Sequence, residues 1–374
     1  MNDERGEPAS PPPSWAPPPV PPKRRRRPLV VAGTVAGAIV VVALLAGTLI
    51  RLPYVLIAPG NAQSVERVVK VEGAPTFPHR GRLLLLTVSV SGERPNLFTY
   101  LSGYFDENTD VVPEDEVLQG KTREEDQRLN KLEMADSQMT AKRVALERLG
   151  YTVPATGTGA AVIAVQKGAP ADGKLRVGDV ITAIDGQPVT LSEELGRAIR
   201  TRPPGQPVTF TVDRDGKPTE VTVATRAAER GACPGRAQIG VVTRTRNEKF
   251  DFPVDVKIDT GRISGPSAGL AFTLTIIDDL TPGDLTGGKK VAVTGTIQPG
   301  GAVGPIGGVQ QKAVTADRAG AKLFLVPMPE LKDARSRAGD LKVVGIRTLD
   351  DALTELAKAG GEPSVPPAPP SPQC

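Results

Sequence analysis

Histidine is almost missing from this sequence of 374 residues: there is one, His79, and there are only two cysteines, Cys233 and Cys374. A zinc site of the usual Cys and His donors therefore lacks its ligands, neither H-E-x-x-H nor C-x-x-C occurs, and no metal or cofactor is expected. A Ser-His-Asp or Cys-His enzyme would have to use His79, which stands in Pro78-His79-Arg80-Gly81, a segment that reads as a polar turn. The same shortage removes a trypsin-like triad. The two cysteines could pair only outside the cytoplasm, and since Cys374 closes a proline-rich tail no disulfide is expected.

Clustered positive charge is also scarce. The net charge is +4, but residues 1–28 hold six Lys/Arg against three Asp/Glu, so the remainder is nearly neutral. Nucleic-acid binding displaces counterions with clustered cations, and no such cluster lies beyond the tail, so no nucleic-acid partner is expected.

Proline and glycine are plentiful, 37 and 40 residues, but unevenly placed: ten prolines fall in 1–28 and six in 361–374. Both ends are expected to be disordered tails, the first of them basic and cytoplasmic, around a folded middle long enough for two domains. Lys23-Arg24-Arg25-Arg26-Arg27 precedes an uncharged, mostly apolar run over 29–50. At about 1.5 Å per residue this run spans a bilayer core of ~30 Å as a helix. A cleaved signal peptide would have a shorter run and a small-x-small exit, so the run is expected to be a single-pass membrane anchor. Basic residues before it place the N-terminus in the cytoplasm and the rest of the chain outside.

Arg82 to Val90 reads as a buried strand. Residues 121–149, dense in mixed charge, read as an amphipathic helix stopped at Gly150. From 151 to 227 the pattern is strand, turn, strand, helix and a hairpin with its turn at Asp215-Gly216. The string GAPADGKLRVGDVITAIDGQPV in this stretch resembles the PDZ domains of bacterial proteases. The resemblance implies that a peptide adds to a sheet edge with its carboxylate held by backbone N–H groups. Leu149-Gly150-Tyr151 has the apolar-Gly-apolar character of that holding loop, and is equally the end of the preceding helix.

Further on, Val254–Ile258 reads as a strand, and Gly265-Pro266-Ser267-Ala268-Gly269 opens an apolar helix. A serine at such a corner can project its Oγ beside backbone N–H groups, though such turns also simply cap helices. With histidine nearly absent, the candidates for a base are a carboxylate or a lysine whose charged form is disfavoured by burial. Val291–Ile297 reads as a strand, Gly300–Gly308 as a glycine-rich turn, and Val309–Gly320 as a helix carrying Lys312.

In that order, GPSAG, VTGTI and GPIGGVQQK closely resemble the proteolytic domain of Lon proteases. The resemblance implies a nucleophile at Ser267, a general base at Lys312 and an orienting hydroxyl at Thr294, with Gly265 and Ala268 shaping the corner. Met134-x-x-Ser137-x-x-x-Ala141 fits a further family pattern upstream. Since only about 120 residues follow the PDZ stretch, 60–150 are expected to supply the first part of the Lon-like domain and 236–358 the catalytic part, with the PDZ domain at 151–227 inserted between them. Two departures stand out: Ser264 replaces the usual Asp before GPSAG, and Thr296 the Glu of the TGE segment.

The resulting expectation is an α+β, membrane-anchored, ATP-independent serine endopeptidase using a Ser-Lys dyad on unfolded or C-terminally exposed proteins. Gly283–Lys289 nearly fits a phosphate loop, but Lys290 follows where Ser or Thr would be needed. Lon domains commonly form rings, which implies a homo-oligomer. The alternative is a non-catalytic PDZ scaffold that presents clients to another membrane protease.

Overall fold

The structure, a computed structural model, describes residues 27–229 and 234–367. The basic tail up to Arg26, Cys233 and the terminal stretch 368–374 with Cys374 lie outside the described residues.

Four consecutive leucines, Leu83 to Leu86, organise the larger unit. Successive strand side chains point to opposite faces, so a run buried throughout must be covered on both. Arg82–Val90 is central in a six-stranded mixed sheet of order 342–346, 323–327, 290–293, 82–90, 54–64, 110–113. It pairs in parallel with Lys290–Val293, Leu83 opposite Val291 and Leu85 opposite Val293, and antiparallel with Tyr54–Ser64. Leu83, Leu85 and Val293 face Leu270 and Leu274 of the helix Gly269–Leu280 and Met134 of the long helix Arg123–Arg148. Leu84, Leu86 and Ala292 face Val309, Ala313 and Ala316 of the helix Val309–Arg318. Each buried leucine contributes about 1.5–3 kcal/mol, so both faces are firmly held.

The core on the first face draws on residues between Val65 and Val153 and again between Val254 and Leu356, whereas a separate core runs from Ala160 to Ile239. The chain thus leaves the larger unit, builds a second one and returns. That second unit is an antiparallel sheet of order 217–224, 207–214, 180–184, 160–165, 241–245, packed against the helix Ser192–Arg200. Asp215 and Gly216 both have positive φ, 54° and 78°, as the predicted two-residue hairpin turn requires. Asp179, 2% exposed, accepts from Arg214 Nε and Nη2, both at 2.7 Å, and from the Arg176 N–H at 2.9 Å, which ties the loop of the GDV segment to the hairpin.

Several expectations need correction. The large sheet begins at Tyr54 rather than near 60. The smaller sheet takes in Val241–Thr245, beyond the expected boundary at 227. The predicted strand 291–297 is broken at Thr294-Gly295, and the two pieces, Lys290–Val293 and Thr296–Ile297, join different sheets. The C-terminal stretch does not leave the domain at 361: the Glu362 N–H donates to the Asp284 carbonyl at 2.9 Å, and Val365 packs on the core.

His79 is no exposed turn residue. Its side chain, 10% exposed, sits at the C-terminal end of the helix Gly269–Leu280, with Nδ1 3.2 Å from Asp278 Oδ2 and Nε2 2.7 Å from Asp279 Oδ1. These two carboxylates, Asp278 foremost, push its pKa up to about 10. Its surroundings favour the charged, structural form, which the chain pattern of Pro78-His79-Arg80-Gly81 concealed because both acids lie some two hundred residues away.

The first described helix, Arg27–Leu49, is long and apolar enough over Val31–Leu49 to cross a membrane, and most of that stretch is exposed.

Candidate active site

The break at Thr294-Gly295 lies at the carboxyl end of the parallel strand Lys290–Val293, where the two covered faces of the sheet meet. The serine corner comes from the helix on one face and the lysine from the helix on the other. The Gly295 N–H donates to the Ser267 carbonyl at 2.9 Å, and the Leu270 N–H donates to the Gly295 carbonyl at 3.1 Å. The corner is thereby stitched to the strand end from both directions.

Gly265 enters the corner at φ 90°, a conformation that side chains rarely adopt. Its N–H donates to the Asn130 carbonyl at 2.9 Å, and Ser137 Oγ donates to the Pro266 carbonyl at 3.0 Å, so the long helix grips the corner at two points. A Cβ on Gly269 would lie 2.8 Å from Ser137 Oγ and 2.9 Å from Ile297, which explains the small residue there. Ala268 is buried at 2% exposure, while Ser267 itself is half-buried.

Gly308, at φ 65°, opens the helix that carries Lys312 one turn further on. Lys312 is 2% exposed, and its Nζ lies 2.8 Å from Ser267 Oγ and 3.1 Å from Thr294 Oγ1. Thr294, itself 1% exposed, donates through Oγ1 to the Ser267 carbonyl at 3.3 Å. Burial lowers the Lys312 pKa to about 8, since the charged ammonium is desolvated. Ser264 is exposed and Thr296 half-buried, and neither carries a carboxylate that would oppose this shift. The result is an amine available in neutral form near physiological pH, in contact with a hydroxyl, with a second hydroxyl fixing its position.

Leu149-Gly150-Tyr151 lies elsewhere. The Gly150 N–H donates to the Glu147 carbonyl and the Tyr151 N–H to the Leu146 carbonyl, both at 3.0 Å, with Gly150 at φ 89°. This is the Schellman ending of the long helix. The strand that follows, Ala155–Thr156, pairs with Lys249–Phe250, and the next, Ala160–Val165, is flanked on both sides by 180–184 and 241–245 and so offers no free edge. The edge strand with a helix beside it is Val241–Thr245. A groove of about 340 Å³ runs between it and Ser192–Arg200, lined by Leu195, Ile199, Ile239 and Val241 with Arg200 and Arg236 at hand. Ile239-Gly240-Val241, with Gly240 at φ 76°, leads into that strand. It has the same apolar-Gly-apolar pattern as 149–151, and only the strand pairing tells the two apart.

Comparison with known proteins matches two stretches of the chain separately. Residues 235–358 match the family model of the Lon protease (S16) C-terminal proteolytic domain, and residues 138–225 match that of the PDZ domain. Lon protease from Azospirillum brasilense is 32% identical over 156 residues, which is 41% of this chain and 19% of that protein. Lon protease 1 from Myxococcus xanthus is 32% identical over 146 residues, 37% of this chain and 17% of that protein. The matches thus span less than a fifth of those relatives. The crystal structure of the PDZ domain of an SdrC-like protein from Listeria innocua is 30% identical and covers 23% of this chain and 92% of that chain, with a TM-score of 0.21. The strand Val241–Thr245 falls inside the Lon-type match, yet its hydrogen bonds place it in the PDZ-type sheet.

Proposed function

Given a Lon-type proteolytic region and a PDZ region in one chain, we propose that the protein is a membrane-anchored serine endopeptidase that works without ATP and faces away from the cytoplasm. The observation that carries this reading is the 2.8 Å approach of the buried Lys312 amine to Ser267 Oγ. Neutral Lys312 takes the serine proton as Oγ attacks the scissile carbonyl, then delivers it to the leaving amine. Thr294 holds the amine in line. The backbone N–H groups of Ser267 and Ala268, at the start of the helix Gly269–Leu280, stabilise the oxyanion with the positive end of the helix dipole. Water, activated by the same lysine, then releases the acyl product.

ATP independence is supported by the loop Gly283–Lys289. Its Thr286 and Gly288 N–H groups donate to the Asp284 carboxylate at 2.9 and 3.0 Å, so they turn inward and do not offer themselves to a phosphate. The groove between Ser192–Arg200 and Val241–Thr245 would receive a substrate's C-terminal strand, with Ile239-Gly240-Val241 holding the carboxylate and the apolar side chains of Leu195 and Ile199 setting preference. Anchoring is supported by the exposed apolar surface of Val31–Leu49.

The test is degradation of casein by the purified full chain in detergent without nucleotide. Ser267→Ala and Lys312→Ala are each expected to abolish it with the fold intact. Activity that survives both substitutions would overturn the dyad, and a folded, inactive parent chain would favour the scaffold reading.

A further inference from the structure

The short helix Leu97–Phe105, sequence LFTYLSGYF, carries no charged residue, and it concentrates four of the chain's eight Phe and four Tyr in nine positions. Leu97, Phe98, Leu101, Tyr104 and Phe105 fall at i, i+1, i+4, i+7 and i+8, the spacing of a single helical stripe. In a surface helix such a stripe normally faces the core. Here it faces out, with Tyr104 66% and Phe105 77% exposed. The side turned inward is marked by Gly103, where a Cβ would lie 2.5 Å from Leu56. Apolar patches of this kind on soluble surfaces mark contact sites.

What covers it follows from its height. The first helix is apolar over the 19 residues Val31–Leu49, about 28 Å at 1.5 Å per residue, close to the ~30 Å hydrocarbon thickness. Phe98 packs on that helix at Gly47, where a Cβ would lie 2.8 Å from the Phe98 ring. Gly47 is two residues, about 3 Å, from the end of the apolar stretch. The pairing is anchored by the Leu52 N–H donating to the Pro95 carbonyl at 2.9 Å and by Arg51 Nη1 donating to the Arg94 carbonyl at 3.3 Å. A helix fixed at that level presents its aromatic stripe where headgroups meet acyl chains, the zone that Tyr and other amphipathic rings favour.

We propose that Leu97–Phe105 is an interfacial membrane helix that lies on the outer leaflet beside the anchor and sets the catalytic unit against the bilayer surface. The proposal rests on the reading of Val31–Leu49 as a membrane span. It fixes the rotation and height of the unit on its anchor, which a flexible tether would leave free.

The experiment uses the full chain in phospholipid nanodiscs with the only natural tryptophan removed, Trp15→Phe, and one probe added. Phe105→Trp, an aromatic exchange at an exposed position, reports on the short helix; Val40→Trp reports on the anchor. Lipids brominated near the headgroup end of the acyl chain are expected to remove most of the Phe105→Trp emission, and aqueous acrylamide little of it. Lipids brominated deep in the chain are expected to quench Val40→Trp. Acrylamide quenching of Phe105→Trp without lipid quenching, or a blue-shifted emission untouched by both, which indicates cover by protein, overturns the interfacial helix while a quenched Val40→Trp leaves the anchor standing. Unquenched Val40→Trp overturns the anchor reading itself.

Discussion

Lys312 Nζ and Ser267 Oγ lie 2.8 Å apart although their helices pack on opposite faces of the large sheet. They meet because the strand Lys290–Val293 ends between them and Thr294 fills the gap, its hydroxyl within hydrogen-bond reach of the lysine amine and the Ser267 carbonyl.

Lys312→Met separates chemistry from stability. If the buried amine serves the proposed chemistry, its removal leaves an apolar chain of similar length, so activity is expected to vanish while the urea midpoint stays or rises. A loss of several kcal/mol in urea unfolding would instead show that the amine is mainly structural.

The pH dependence follows from burial of the same group. The proposed dyad needs the neutral amine, so kcat/KM is expected to rise with pH on a limb centred near 8. For stability, the folded-state pKa lies below the unfolded value of 10.5, so the cost of burying the ammonium is full below about pH 8 and is relieved as pH rises to 10.5. The change is roughly 3 kcal/mol, and it is absent in Lys312→Met. A rate profile flat from pH 6 to 10 would contradict this assignment.

Thr294→Val keeps the shape and removes the hydroxyl that holds the amine. A lost buried hydrogen bond of ~1.5 kcal/mol corresponds to about a tenfold fall in kcat, with KM little changed, and Thr294→Ser should restore most of it. Full activity in Thr294→Val with a loss in Thr294→Ser would mean that the methyl group, rather than the hydroxyl, matters.

His79 pairs with Asp278 and Asp279 in a largely buried site. Its raised pKa has the opposite sign of consequence: its stabilisation is full below about 6.5 and is lost as pH rises through about 10. His79→Leu leaves two carboxylates without their cation and is expected to cost about 3 kcal/mol without changing the pH limb of activity. Urea titrations at pH 6 and 10 check this, since the variant should lose most of the difference that His79 contributes.

Val241→Glu, at a partly buried position, puts a carboxylate into the groove between Ser192–Arg200 and Val241–Thr245. Degradation of a protein ending in an apolar C-terminus should then show a raised KM, whereas a short peptide cleaved at the dyad should be unaffected. Leu149→Glu, by contrast, lies at the end of the long helix and should change stability rather than peptide affinity. The reverse pattern would return the carboxylate loop to 149–151.

How much could be read without coordinates differs from one residue to the next. Ser267, Lys312 and Thr294 were picked out by the resemblance of three ordered motifs to the Lon proteolytic domain, since a serine corner or a helical lysine taken alone has an ordinary structural reading, and the structure brings the three side chains within hydrogen-bond reach of one another. The buried strand at Arg82–Val90 and the helix ending at Gly150 were legible for a local reason, periodicity and a residue free to adopt positive φ. The seat of His79 was not, because its cations and anions meet only once 78–80 is laid against the helix end at 278–279. Ile239-Gly240-Val241 and Leu149-Gly150-Tyr151 are locally alike, and strand pairing alone gives the first an open edge and the second a helix stop. The outward stripe of Leu97–Phe105 likewise has the periodicity of a core helix. Local chain pattern marks which groups could do chemistry and where most helices and turns fall, while the break at Thr294-Gly295, the burial that lowers the Lys312 pKa, the pairing that raises that of His79 and the face that Phe105 turns outward come from the folded arrangement, because desolvation and pairing depend on neighbours distant in the chain.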